Sequence, residues 1–416
     1  MNRIAPPESS GNTALLDEAR AHEDRLRRRR LVLYAGANLP SETVRAAYAP
    51  GLGAMPSMGP SFDKEQPGTQ IVSRVEVAVR EAACAVFGAG WAEPRLPSAT
   101  LANLAVFHAF AAPGDLMLAP AAAHGGHLSQ RGGGTPALAG LACEELPFDA
   151  AALALDAPEA AALVRARRPR LVMLGRSVML RPDEIGPVVA AAREVGATTI
   201  FDASHVAGLI AGGTYPNPLA AGVDVMVTST YKTIPGLPQG LVLGRDAADG
   251  ARLAALLDAR FLANYNAAML PALLATLAEI RAGGADYARS VTENTAALAS
   301  ACRARGLPVI APEQEFTHQF LMPIAPDAAP RALIDRLETL GILVGTASDI
   351  TRPGRSALRV GTQFLATLGL RAGRMGAVAD RLAALLVPGG AGGVRLREEV
   401  EAGASLAAVE RLLAGE

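Results

Sequence analysis

The chain has 416 residues, half of them apolar, with 39 basic and 40 acidic side chains and a formal net charge of −1. That length allows two or three structural units around one or two cores, and near-neutrality offers no broad attraction to nucleic acid or to a membrane surface. No apolar run is long enough to span a bilayer, the N-terminus lacks a charged-then-apolar secretory pattern, and Cys84, Cys143 and Cys302 are too scattered for a disulfide framework or a metal site, so a cytoplasmic globular protein is expected.

Residues 1–50 read as an arm, helical from Thr13 to Arg30 and then extended at LVLYAG. Acidic residues open that helix and the run Arg25–Arg30 closes it, which suits the helix dipole. With no aromatics interleaved, the arginines read as a solvated helix end and not as a nucleic-acid tail. The stretch Pro50–Gly68, PGLGAMPSMGPSFDKEQPG, is full of chain breakers and is expected to be an irregular loop. Helices and strands then alternate: VEVAVREAACAVFG and SATLANLAVFHAFA as helices, DLMLAP and RLVMLG as strands, EIGPVVAAAREVG as helix, then the strands ATTIFD and VDVMVTST. Such alternation means βαβ units and a mostly parallel sheet, an α/β class. Leu270–Gly306 reads as a long helix leading into a smaller C-terminal domain with HQFLMPI and ALRVGT as strands. The terminal LREEVEAGASLAAVERLLAG is expected to be an exposed helical pair, and no internal repeat is evident.

Phe201–Gly244 carries the chemistry. Asp202 closes one apolar strand and Lys232 follows the next, so parallel pairing brings both to one carboxyl edge, where open α/β sheets bind ligands. Alone, the aspartate is a helix cap and the lysine a surface residue. Together they suit pyridoxal phosphate: a lysine amine condenses with its aldehyde, and a carboxylate keeps its pyridine nitrogen protonated so that the ring accepts electrons from a substrate Cα.

The string D-x-x-HVAGLIA-x-G-x-YPNP followed by T-S-T-x-KT resembles serine hydroxymethyltransferase, and similarity runs from about residue 31 to about residue 365. The resemblance implies a fold type I pyridoxal phosphate enzyme, similar to aspartate aminotransferase: an arm (1–50), a large cofactor-binding domain with a mostly parallel sheet (51–282) and a smaller α+β C-terminal domain (283–416). It also implies at least a homodimer, with the arm packed on the partner. Ser98, Ala99 and Thr100 open a helix and would take the phosphate; a plain N-cap would look the same. His127 in AHGGH matches the histidine that stacks on the ring, in preference to His124. Ser177 and His205 match groups near the phenolic oxygen, and His205 also lies near the substrate carboxylate, which Arg359 would fork bidentately.

The departures bear on the reaction. Where the family has a proton-handling glutamate, ungapped alignment places Met58, with Pro56 and Gln66 at two tyrosine positions. A methionine cannot exchange a proton. Gly36 replaces a serine that helps hold the substrate carboxylate, Ala37 its acidic neighbour, Tyr231 the histidine before the lysine, and Pro238 an arginine after it. FPGGQGGP becomes FLANYNAAM, which alters a phosphate contact from the partner subunit. A changed substrate region around an intact cofactor set implies a folate-independent enzyme of specialised metabolism acting at Cα and Cβ of an amino acid. Aldol or transaldol cleavage fits, as does β-elimination or decarboxylative deamination of a bulky β-substituted amino acid such as a cysteine S-conjugate. The biosynthetic branches with such chemistry include threonine transaldolases and the cysteine-conjugate enzymes of lincosamide antibiotic pathways. Tetrahydrofolate-dependent hydroxymethyl transfer, transamination and a cofactor-bearing pseudoenzyme are the alternatives.

Overall fold

The computed structural model describes residues 10–397 and 400–416. A seven-stranded sheet forms the large domain from β1 (Trp91–Glu93), β2 (Leu116–Pro120), β3 (Ala142–Leu146), β4 (Leu171–Leu174), β5 (Thr198–Asp202), β6 (Val225–Ser229) and β7 (Gly240–Gly244), in the order β1-β7-β6-β5-β4-β2-β3. From β6 to β3 all neighbours are parallel, while β7 runs antiparallel to both β6 and β1. The central strands are apolar on both faces because helices cover both, as parallel sheets require.

Helix α1 (Ser10–Arg29) is the expected arm helix, and Arg27 and Arg28 pair with Glu23 and Asp24 one turn back. The first nine residues of the arm lie outside the described residues. Helix α2 (Gln70–Phe87) starts five residues before the expected VEVAVREAACAVFG, and Gly88 caps it in the left-handed region. Helix α3 (Ala99–Phe110) begins at Ser98, whose hydroxyl accepts from the Leu101 amide at 3.2 Å. Helix α4 (Gly186–Val195) returns the chain to β5, and the 35-residue helix α5 (Leu270–Ala304) leads into the second core. There β8 (Gln319–Pro323), β9 (Gly345–Ser348) and β10 (Ser356–Gly361) make an antiparallel sheet in the order β8-β10-β9.

The C-terminus departs from expectation. Leu396 ends a short strand, Val394–Leu396, paired with Leu386–Pro388, and one helix follows, α6 (Ala402–Ala414). Val409 and Leu412 of α6 are buried in the second core, so it is not an exposed helical pair. The apolar stripe outweighs the charged surface residues that suggested exposure.

Candidate active site

Asp202 at the end of β5, Lys232 after β6, His127 after β2 and Ser177 after β4 all follow the carboxyl ends of parallel strands, so the sheet gathers them at one edge. The approach is tight. Gly175 has φ +76, and a Cβ there would collide with the Asp202 carbonyl oxygen.

Asp202 is buried and held from two sides: Oδ1 accepts from the Ser204 amide at 2.9 Å and Oδ2 from Asn103 Nδ2 at 2.9 Å. The Asn103 amide nitrogen also donates to Ser129 Oγ at 3.1 Å, and that hydroxyl lies 2.8 Å from His127 Nδ1. A polar chain therefore links the acid to the histidine expected to stack on the cofactor. Asn103 sits one turn along α3 from Ser98, Ala99 and Thr100, so one helix would both cradle the phosphate with its free amides and orient the acid. Neither Asn103 nor Ser129 was among the expected residues. The signal for Asn103 was a lone amide side chain in the apolar helix ATLANLAVFHAF.

Lys232 is desolvated, which pushes its amine down to about 8 against the attraction of Asp202, with Arg359 adding to the fall. Among the described residues its Nζ makes no hydrogen bond, and the Tyr231 ring lies 5.7 Å away. Its carbonyl accepts from Asn38 Nδ2 at 2.7 Å; that nitrogen also reaches the Tyr287 hydroxyl at 2.8 Å, which ties the lysine loop to the arm. Burial, then Lys232, also lowers His127.

Arg359 on β10 joins the same site. Its Nε donates to Gln319 Oε1 and its Nη2 to the Ser177 carbonyl, with His205 Nδ1 2.9 Å from Nη2. His205 stacks on His318 with ring centroids 5.5 Å apart, and His318 Nε2 reaches the Ala35 carbonyl at 3.2 Å. Both imidazoles are pushed well below their ordinary value, chiefly by burial and then by the nearby cations, so both are neutral. Arg359 itself is lowered to about 10 by burial. His318 and Gln319 were unforeseen; the polar pair opening HQFLMPI was their only signal. His124 lies elsewhere, stacked on Phe148 at 4.5 Å.

Met58 and Gln66 are held to each other, the Met58 amide donating to Gln66 Oε1 at 2.7 Å. Among the described residues of one chain, neither hydrogen-bonds to the Lys232 cluster. Gly36 lies at the arm's turn beside the ring of Tyr34, whose backbone bridges to Val360, the residue after Arg359.

These residues fit pyridoxal phosphate: an unpartnered, desolvated amine, a buried carboxylate pre-oriented by two donors, a neutral imidazole and a helix N-terminus, all at one sheet edge.

Comparisons with known proteins agree. The family model described as serine hydroxymethyltransferase matches residues 12–382. The chain is 34% identical over 380 residues to an alpha-methylserine aldolase of Variovorax paradoxus, covering 90% of this chain and 86% of that protein. It is 33% identical to a serine hydroxymethyltransferase of Methanopyrus kandleri, covering 85% and 84%. In fold it matches the L-threonine transaldolase of Pseudomonas fluorescens with a TM-score of 0.87 at 23% identity, over 97% of this chain and 92% of that one. The architecture is therefore fold type I, and the chain belongs to the serine hydroxymethyltransferase family of pyridoxal phosphate-dependent enzymes.

Proposed function

We propose that the protein is a folate-independent aldolase or transaldolase that breaks or forms the Cα–Cβ bond of a β-hydroxy α-amino acid. The observation that carries this reading is the intact set Lys232, Asp202, His127 and Arg359 in a chain that has a methionine at position 58, where the family has a proton-handling glutamate. The alpha-methylserine aldolase relatives and the fold of the transaldolase support it.

Pyridoxal phosphate, when bound, supplies an aldehyde for the lysine and substrate amines and a ring that withdraws electrons from Cα. Ser98, Ala99 and Thr100 would hold its phosphate, His127 would lie against its face and Asp202 would sit at its ring nitrogen. Arg359, backed by His205, takes the substrate carboxylate and so sets which Cα substituent is broken. Near pH 8 much of the Lys232 amine is neutral, which lets it carry a proton to or from Cα. The β-hydroxyl proton must leave during cleavage, and the His127 ring, whose Nε2 makes no hydrogen bond among the described residues, is the base we assign to it, because His205 is buried against the Arg359 guanidinium. Asp202 stays charged between its two donors throughout.

The test is mass spectrometry of products from serine, threonine and α-methylserine with the cofactor-loaded protein, with and without tetrahydrofolate. Glycine or alanine released without folate is the expected result. Cleavage that requires folate would replace this reading with hydroxymethyl transfer, and ammonia with a keto acid would replace it with elimination. The same proposal includes a cytoplasmic homodimer of specialised metabolism, and light scattering at micromolar concentration checks the dimer.

A further inference from the structure

Tyr34 occupies a slot made by two glycines at the carboxylate corner. It bridges to Val360, the residue after Arg359. Gly345 of β9 is the direct cross-strand partner of Arg359, so a Cβ on Gly345 would point to the same sheet face as the arginine side chain. The Tyr34 ring fills that space: Cε2 and Cδ2 lie 2.7 and 2.9 Å from where the Cβ would stand. The other ring edge lies over Gly36, with Cε1 at 3.0 Å, Cζ at 3.4 Å and the hydroxyl at 3.5 Å from its Cβ position. Neither glycine has a positive φ, so each supplies room for the ring and not a special turn. The backbone beneath is pinned, because Gln363 Nε2 donates to the carbonyls of Tyr34 at 2.9 Å and Ala37 at 2.7 Å.

This firmly seated tyrosine remains 48% exposed, and among the described residues its hydroxyl makes no hydrogen bond. Arg359 shows the complementary need. Its Nε and Nη2 are engaged by Gln319, Ser177 and His205, and Nη1 donates to no described residue, so the bidentate fork expected from the sequence is replaced by a single free nitrogen. One free guanidinium nitrogen satisfies one oxygen of a carboxylate and leaves the other in want of a donor.

We propose that Tyr34 is a substrate-binding residue whose hydroxyl donates to the amino-acid carboxylate alongside Arg359 Nη1. The inference rests on the amino-acid reading given above. The two glycines are then specificity elements: a side chain at either position would displace the ring from the arginine.

The test uses the cofactor-loaded protein and equilibrium titration followed by cofactor absorbance, with glycine and with ethanolamine, which shares the amine and lacks the carboxylate. Tyr34→Phe is expected to raise the Kd for glycine about tenfold, the effect of one hydrogen bond to a charged group, and to leave ethanolamine binding unchanged. Gly345→Ala, which pushes the ring off its seat, is expected to show the same split. Unchanged glycine binding in Tyr34→Phe overturns the proposal, and so does equal weakening of both ligands, which would mark a structural role. A wild-type protein that answers to ethanolamine and not to glycine would sink the amino-acid reading itself and this proposal with it, and that failure shows before any variant is made.

Discussion

Replacing Lys64 by methionine should destabilise the protein and loosen the loop that carries Met58. The Lys64 ammonium is 2.6 Å from Glu76 Oε1, with side-chain exposures of 1% and 0%. It also donates to the Gly59 carbonyl at 2.8 Å and the Ser57 carbonyl at 3.4 Å, so one cation ties α2 to the inside of the loop. Glu76 further accepts from the hydroxyls of Ser61 and Tyr265, and Arg80 lies 3.9 Å away. Methionine fills much the same volume without charge and leaves a buried carboxylate with two hydroxyls and a distant guanidinium. Removing one partner of a buried ion pair costs about 3–5 kcal/mol, and Arg80 should hold the loss near the lower figure, about 3 kcal/mol. Urea unfolding gives the loss, and limited proteolysis between residues 50 and 68 reports the loop. Adding Glu76→Gln to the variant should recover part of the stability, because the stranded charge is then gone. A loss below about 1 kcal/mol would refute the reasoning, since it would mean that water reaches Glu76 in the folded chain.

Three further outcomes are expected. In the cofactor-free protein, the Lys232 amine falls from 10.5 to about 8 on folding; the unfolded chain then binds more protons between those values, so stability rises with pH across that window. Lys232→Met without cofactor should therefore be more stable than wild type near neutral pH, by up to about 3 kcal/mol, with the gain fading as the pH approaches 10.5; denaturation at several pH values checks this. Asn103→Ala removes a donor from Asp202 and should weaken pyridoxal phosphate binding about tenfold, measured by equilibrium dialysis. Met58→Glu should not confer strong folate-dependent serine cleavage, because the other family positions in that loop, Pro56 and Gln66, remain changed; the product panel decides it.

Much of this was legible in the sequence because the large domain follows simple periodicity. β4, β5 and β6 are apolar runs bounded by turn residues, and parallel pairing alone brings Asp202 and Lys232 to one edge. What stayed hidden depends on long-range packing. Asn103 meets Asp202 across 99 positions of sequence, and Arg359 meets His205 across 154, so no local pattern could report either bond. The terminal segment misled because charged residues flank an apolar stripe, and only the second core shows that Val409 and Leu412 have somewhere to go. The sequence also could not show that the two most altered segments are joined: Tyr265, from FLANYNAAM, turns its hydroxyl inward to Glu76, beside Lys64 of the 50–68 loop.

The charges at the sheet edge favour a ligand that brings a carboxylate. Arg359 is surrounded by neutral partners: an amide oxygen, a backbone carbonyl and an imidazole kept uncharged by burial. No carboxylate of the described residues forms an ion pair with it, and its fall to about 10 measures how poorly the pocket solvates a lone cation. Lys232 is depressed for the same reason, and only Asp202 opposes it. The folded chain thus holds two desolvated cationic groups against one carboxylate, an arrangement that costs stability and is relieved by incoming negative charge. A phosphate at the α3 N-terminus and a carboxylate between Arg359 and Tyr34 would supply that charge at the two places where the structure leaves donors free. The stability that this unbalanced charge costs the folded chain would return as binding selectivity for an amino acid over its amine, the difference that glycine and ethanolamine would measure.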